Sequence, residues 1–239
     1  MENSYIALDL ETTGLNPKRD QIIEIGAVKI ISGEIAEEFS TKINPRRKIP
    51  NAVINLTHIT DAMVEDAPDM EAILPEFLLF CGDFPLVGHH IIFDFSFIKR
   101  SAVNMGYSFE KQGIDTLKLA RILLPWLKYK NLKAVCDYYD IFFPNAHQAL
   151  ADAKAAHYIY QKMKKQFLDT DNSVFQAMPL IYKVKKESMA TKRQKQHLND
   201  LIKYHRIEMS MDINYLTRNE ASRIIDLIIL QYGRINKKR

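Results

Sequence analysis

The stretch Tyr5-Ile-Ala-Leu-Asp-Leu-Glu-Thr12 constrains this chain more than any other. It is a mostly apolar run closed by Thr12-Thr13-Gly14, which reads as a central β-strand. Side chains alternate across a strand, so Asp9 and Glu11, two apart, emerge on the same face. Two carboxylates at the end of a buried strand lose hydration and repel each other, and a hard divalent cation is the usual remedy. The competing reading is a pair of exposed acids with no task.

The segments that follow supply the rest of a sheet and its cover. Ile22 to Ile31 and Ile35 to Ile43 are β-rich around a turn at Ser32-Gly33, which predicts an antiparallel meander. After a Pro- and Asn-containing loop, Met70 to Cys81 has helical spacing, and Pro85-Leu-Val-Gly-His89 is a short buried strand. Helices are predicted over Phe93 to Met105, closed by Gly106, and over Thr116–Leu124, Leu132–Tyr139 and Ala149–Lys165. Strands first and helices interleaved later indicate an α/β fold, with a mixed central sheet that is antiparallel at one edge, parallel toward the centre and flanked by helices. From Leu168 to Ser188 the period is lost, as in a linker or wrapping segment. Thr191–His205 and Thr217–Tyr232 then form a small α-helical C-terminal appendage, the second opening on a Thr217/Glu220 capping box.

Composition narrows the setting. At 239 residues, 47% hydrophobic and 26% charged, the chain has the make-up of a globular domain with a small addition. Two distant cysteines, Cys81 and Cys136, give neither a disulfide framework nor a zinc site. Met1 to Leu10 has no leader pattern, and Ile224 to Leu230, interrupted by Asp226, is too short to span a bilayer. A cytoplasmic protein with no membrane partner is expected. Residues 1–166 hold 19 Lys+Arg and 21 Asp+Glu, so 19 − 21 = −2, and the remainder holds 14 − 8 = +6. An acidic body with a basic end suits a carboxylate site beside a surface that attracts phosphates, although solvated lysines give the same asymmetry.

Two further elements carry acids. Gly88-His-His-Ile-Ile-Phe-Asp94 puts Asp94 at the start of a helix, where it either joins a site or complements the helix dipole. In His147-Gln-Ala-Leu-Ala-Asp152 the five-residue gap would set the two side chains about 140° apart on one helix. A shared site therefore needs His147 on the preceding loop, where Pro144 and Asn145 supply loop chemistry, and a histidine there suits a general base.

Taken together, Asp9-Leu-Glu11-Thr-Thr-Gly, Gly88 through Asp94, and the H-x-A-x-x-D run from His147 to Asp152 resemble the three motifs of the DEDDh exonucleases. That superfamily includes the proofreading epsilon subunit of bacterial replicative polymerase. The resemblance covers residues 3 to 166 and implies a ribonuclease H-like fold. Together with the loss of period beyond it and the two terminal helices, this resemblance divides the chain into an exonuclease domain (1–166), a linker or wrapping segment (167–189) and a small helical module (190–239). It also implies two Mg²⁺ or Mn²⁺ ions held by Asp9, Glu11, Asp94 and Asp152, with His147 taking the proton from the attacking water. Thr12, Thr13, Leu15, His90 and Phe93 fall where the family meets the terminal nucleotide; Phe93 either stacks on a base or belongs to the core. His90 stands where the family usually has Asn, a residue that supports the site and does not ligate metal.

The implied reaction is 3′ to 5′ removal of nucleotides from DNA at single-stranded or frayed ends, in proofreading or repair. An RNA 3′ exonuclease is the alternative on the same scaffold, and a nucleic-acid-binding protein with a decayed site is the alternative of another class. The partner is a strand with a free 3′ end, DNA favoured over RNA; association with a polymerase is conjecture. The Lys183 to Lys195 cluster, which runs from the linker into the helical module, either holds nucleic-acid backbone or belongs to a stabilising appendage.

Overall fold

The computed structural model describes residues 3–142, 147–169 and 172–235. Pro144 and Asn145 lie outside them. The chain forms two compact units. One runs to Pro45 and then from Ile49 to Val184, and the other joins Arg46–Lys48 to the chain from Lys185.

The first unit is built on a six-stranded sheet in the order β3-β2-β1-β4-β5-β6. Its strands are β1 (Tyr5–Thr12), β2 (Ile22–Ile31), β3 (Glu34–Lys42), β4 (Leu86–Gly88), β5 (Gln112–Asp115) and β6 (Met178–Pro179). β1 to β3 form the expected antiparallel meander, and β1, β4 and β5 run parallel. Nearly every residue of β1 is buried, as befits a strand with neighbours on both sides and helices on both faces. Ile6, Leu8 and Leu10 point into one core with α3 (Met70–Cys81) and α4 (Ile91–Met105). Tyr5 and Ala7 point into the other, with α5 (Thr116–Leu123), α6 (Leu132–Tyr138) and α7 (Ala149–Phe167). By the strand period, Asp9 and Glu11 continue the second face, the one that α7 covers.

α7 lies close to the sheet because small residues permit it. Ala149, Ala153, Ala155 and Ala156 are buried on its inner side. Opposite Asp9, β2 carries Gly26. A Cβ at Gly26 would lie 2.0 Å from the carbonyl carbon of Ala149 and 2.0 Å from the nitrogen of Leu150. The obstruction is backbone, which no rotamer change relieves.

Several elements escape the sequence pattern. α1 (Asn51–Thr57) and α2 (Asp61–Val64) occupy what reads as a loop. They are too short for a helical period, yet bury Val64 in a small cluster with Ile23, Ile49 and Ile59. β5 has only the four residues Gln-Gly-Ile-Asp, with no alternation to detect. β6 pairs antiparallel with β5, so the sheet is antiparallel at both edges. The segment from 167 is accordingly not a separate linker up to Val184: Phe175 is buried in the α5–α7 core, and the Leu180 N–H continues the edge ladder to the Lys111 carbonyl at 2.9 Å. The boundary falls after Val184 and not after residue 166.

In the second unit, α8 (Lys192–His205) and α9 (Arg218–Tyr232) each start on a complete capping box, Thr191/Gln194 and Thr217/Glu220. They enclose a core of Leu198, Leu201, Leu216, Ala221, Ile225 and Ile228. Arg47 pairs with Met211, and its Nη2 lies 3.1 Å from Glu220 Oε1. The unit thus takes in three residues from the middle of the predicted first domain. Among the described residues no helix is long and apolar enough to cross a membrane.

The approach of α7 to β2 gives a direct test. Gly26→Ala should lower the urea midpoint by the equivalent of about 3 kcal/mol or more, the upper part of the overpacking range. Gly113→Ala, whose added Cβ has its three nearest atoms in the movable Leu180 side chain, should cost less. Equal midpoints for Gly26→Ala and the parent would contradict the packing described.

Candidate active site

Three separate stretches of chain deliver their polar groups to the carboxyl end of β1. Asp9 and Glu11 arrive on the strand itself. Asp94 arrives in the first turn of α4, where its Oδ1 accepts the Leu10 N–H at 3.0 Å, between the two strand acids. Asp152 arrives in the first turn of α7. His147 lies before the α7 N-cap, Gln148, with φ of +67° and at the solvent edge. That loop position resolves the angular separation a continuous helix would impose. Glu11, His147 and Asp152 each present one atom such that all three lie within 4.8 Å of one another.

Burial dominates the electrostatics. Asp94 is 3% exposed and Glu11 and Asp152 are each 9% exposed, while Asp9 keeps some access to solvent. Burial raises the proton affinity of Asp9 well above the usual carboxylate range, and Asp94, Asp152, Glu11 and Glu24 raise it further. Burial likewise raises Asp94, against the hydrogen bonds from its own and the Leu10 N–H. Glu11 is pushed up to about 8 by burial and then by Asp152 and Glu24. Asp152 is pushed to about 7 by burial, with a hydrogen bond from the His147 backbone opposing and Glu24 adding. Asp152 Oδ1 is buried with no hydrogen-bond partner among the described residues. A buried carboxylate oxygen without a donor, set among other carboxylates, fits a hard cation with oxygen ligands.

A fifth carboxylate escaped the motif reading. Glu24, on β2 opposite Glu11, accepts the Ala149 N–H at 3.0 Å through Oε2 and meets Lys42 Nζ at 3.2 Å through Oε1. It satisfies a free amide at the start of α7 from another element, since Gln148 makes no side-chain cap. The available signal was a lone acid within the apolar run Ile22-Ile-Glu-Ile-Gly26. Asp115 was missed as well: it caps α5 and accepts the His90 N–H at 3.1 Å through Oδ1.

The nucleotide-side candidates are placed less directly. The Thr12 hydroxyl donates to the Gly14 carbonyl at 2.7 Å, and buried Thr13 accepts the Gln21 N–H at 3.0 Å, so both hydroxyls brace their own loop. Leu15 is 85% exposed. His90, at the α4 N-cap, has φ of +80°, a left-handed conformation that Asn and His tolerate better than most residues. Its ring lies 6.4 Å from that of Phe93, which is half-buried and packs on Phe97 at 5.0 Å. Of the remaining histidines, His157 is buried against the Tyr5 hydroxyl at 3.0 Å, and burial lowers its pKa to about 4.

Comparison with known proteins identifies the family and the fold. The family model for the RNase_T exonucleases matches residues 6–160. DNA polymerase III PolC-type of Clostridium perfringens (strain 13 / Type A) is 41% identical over 169 residues, which are 69% of this chain and 12% of that protein. The chain thus spans a small fraction of the length of the curated relatives it matches. Among solved structures, exonuclease X in complex with 5′ overhanging duplex DNA has a TM-score of 0.55 at 28% identity, covering 73% of this chain and 96% of that one. Escherichia coli exonuclease I in complex with a dT13 oligonucleotide shares the fold, with a TM-score of 0.63 at 18% identity over 70% of this chain and 42% of that one. A family match across well over half of the chain, on a sheet that gathers acids from three motifs, establishes this protein as a member of the RNase_T exonuclease family of hydrolytic nucleases.

Proposed function

We propose that the chain removes nucleotides one at a time from the 3′ end of DNA, at single-stranded or frayed ends, in proofreading or repair. The observation that carries this reading is the convergence of Asp9, Glu11, Asp94 and Asp152, with His147 at the edge and one Asp152 oxygen buried without a donor. The preference for DNA rests on the likeness to a DNA polymerase III and to an exonuclease solved with DNA. RNA remains the alternative substrate, because the site recognises mainly phosphate. A cytoplasmic setting accords with two buried free thiols.

In this reading Asp9, Glu11, Asp94 and Asp152 hold two Mg²⁺ or Mn²⁺ ions, which oxygen-only ligands favour over zinc. When bound, such a pair lowers the pKa of a coordinated water and stabilises charge on the phosphate. His147 takes the proton from the attacking water and, being exposed, passes it to bulk solvent. The Leu10 N–H fixes the Asp94 carboxylate, and Glu24 fixes the start of the helix that carries Asp152.

Replacing a ligand and replacing the base should differ. Asp9→Ala and Asp152→Ala should each lower turnover of a 5′-labelled strand by more than about a hundredfold and weaken Mn²⁺ binding. His147→Ala should lose about 10²- to 10⁴-fold in kcat while keeping Mn²⁺ affinity. Digestion of matched DNA and RNA strands by the parent and Asp9→Ala checks both substrate and site; undiminished hydrolysis by Asp9→Ala or Asp152→Ala would rule the site out.

The raised carboxylates also predict a pH dependence. Between the ordinary carboxylate range and about pH 7 to 8, the folded chain holds protons on Glu11 and Asp152 that the unfolded chain has released. Stability must then fall as pH rises through that window. With divalent ions chelated, Tm should be lower at about pH 8.5 than at about pH 6. Saturating Mn²⁺ should raise Tm more at the higher pH, where the ligands are already deprotonated. A flat chelated Tm, or equal metal shifts at both values, would contradict the cluster's electrostatics.

A further inference from the structure

The stretch from Thr116 to Cys136 contains five cations, Lys118, Arg121, Lys128, Lys130 and Lys133, and no acid. It belongs to a body that is otherwise acidic, 19 − 21 = −2 for residues 1–166. Lys118, Arg121 and Lys128 are exposed and form no ion pair among the described residues. The charges are therefore available to a ligand.

Within this stretch, residues 124–131 connect α5 to α6 without helix or strand. Leu124 is buried and Leu127 packs against the same core. The residues between and beyond them turn outward. Trp126, the chain's one tryptophan, is 61% exposed and Tyr129 is 62% exposed, with Lys128 Nζ 5.0 Å from the Tyr129 ring centroid. Two leucines anchor the connection, and it displays two large rings interleaved with lysines. That is the side-chain chemistry that holds an unpaired nucleic-acid strand, with rings stacking on bases and cations meeting phosphates.

The connection is also tied to the site. His89 follows β4, the parallel neighbour of β1, and precedes His90 and the helix bearing Asp94. Its Nε2 lies 2.7 Å from the Lys130 carbonyl and its Nδ1 lies 2.9 Å from Thr116 Oγ1. A carbonyl only accepts, so Nε2 carries the proton and donates. One imidazole thus straps the displayed segment to the sheet end where the acids gather.

We infer that residues 124–131, with Lys118 and Arg121, form a platform for the unpaired strand that leads to the 3′ end, bases stacking on Trp126 and Tyr129. Only the position of the 3′ end relies on the exonuclease reading above. The platform itself is a strand-binding surface and is measurable as one.

The test pairs binding with chemistry. Anisotropy titrations of a 5′-fluorescein oligothymidylate and of a blunt duplex would use the full chain, Trp126→Ala/Tyr129→Ala, Trp126→Phe/Tyr129→Phe and Lys118→Ala/Lys128→Ala. Hydrolysis of the p-nitrophenyl ester of thymidine 5′-monophosphate, which carries no strand to lie on the platform, runs alongside. The alanine pair should weaken single-strand binding about tenfold or more, with duplex binding and ester hydrolysis unchanged and the phenylalanine pair restoring affinity. The lysine pair should flatten the dependence of log Kd on log salt by about 1.4, which is about 0.7 for each of two phosphates no longer neutralised. Unchanged single-strand affinity in both alanine variants overturns the inference. So does a parallel loss of ester hydrolysis, which would make the segment a structural support of the site. Absence of ester and strand hydrolysis in the parent would instead sink the exonuclease reading, and the affinity series would still decide the platform.

Discussion

The arrangement depends on how closely one helix is allowed to approach one strand. Asp152 reaches Asp9 and Glu11 only because the first turn of α7 rests directly on β2 at Gly26, where there is no room for a side chain. Alanines along the inner side of α7 keep the approach close over several turns. Glu24 then fixes the depth of the helix start by accepting the Ala149 N–H. A glycine, a run of alanines and one buried carboxylate together place an acid from residue 152 beside acids from residues 9 and 11.

That placement has an electrostatic cost. Carboxylates gathered in a buried site raise one another's proton affinity, beyond the effect of burial itself. Folding tolerates this by holding protons at low pH, and a divalent cation can replace those protons near neutrality. The charged state that metal ligation needs is therefore the one that burial disfavours, and a bound divalent cation would offset that opposition. The surroundings are consistent with this: the Leu10 N–H holds one Asp94 oxygen, whereas one Asp152 oxygen has no protein donor among the described residues.

The sequence disclosed the acids more fully than it disclosed their support. Asp9 and Glu11 stand out because charge within an apolar strand is conspicuous, and the five-residue gap to Asp152 already required His147 to leave the helix. The mixed sheet followed from the order of long periodic segments. β5, α1 and α2 did not, because runs of four to seven residues carry too little period to register. Glu24 and Gly26 were legible only as strand residues, since their roles depend on a helix more than a hundred positions away. For the same reason a sequence boundary near residue 166 missed β6 and the docking of Arg46–Lys48 with the C-terminal helices. The roles proposed for Thr12, Thr13, Leu15, His90 and Phe93 concern a ligand, and their contacts within the protein explain their conformation without assigning them a substrate.

Anomalous diffraction from crystals grown with Mn²⁺ addresses the central claim most directly. Two peaks about 4 Å apart, bounded by the carboxylates of Asp9, Glu11, Asp94 and Asp152, are the result expected. Anomalous density elsewhere on the surface with none among these four acids would contradict the account.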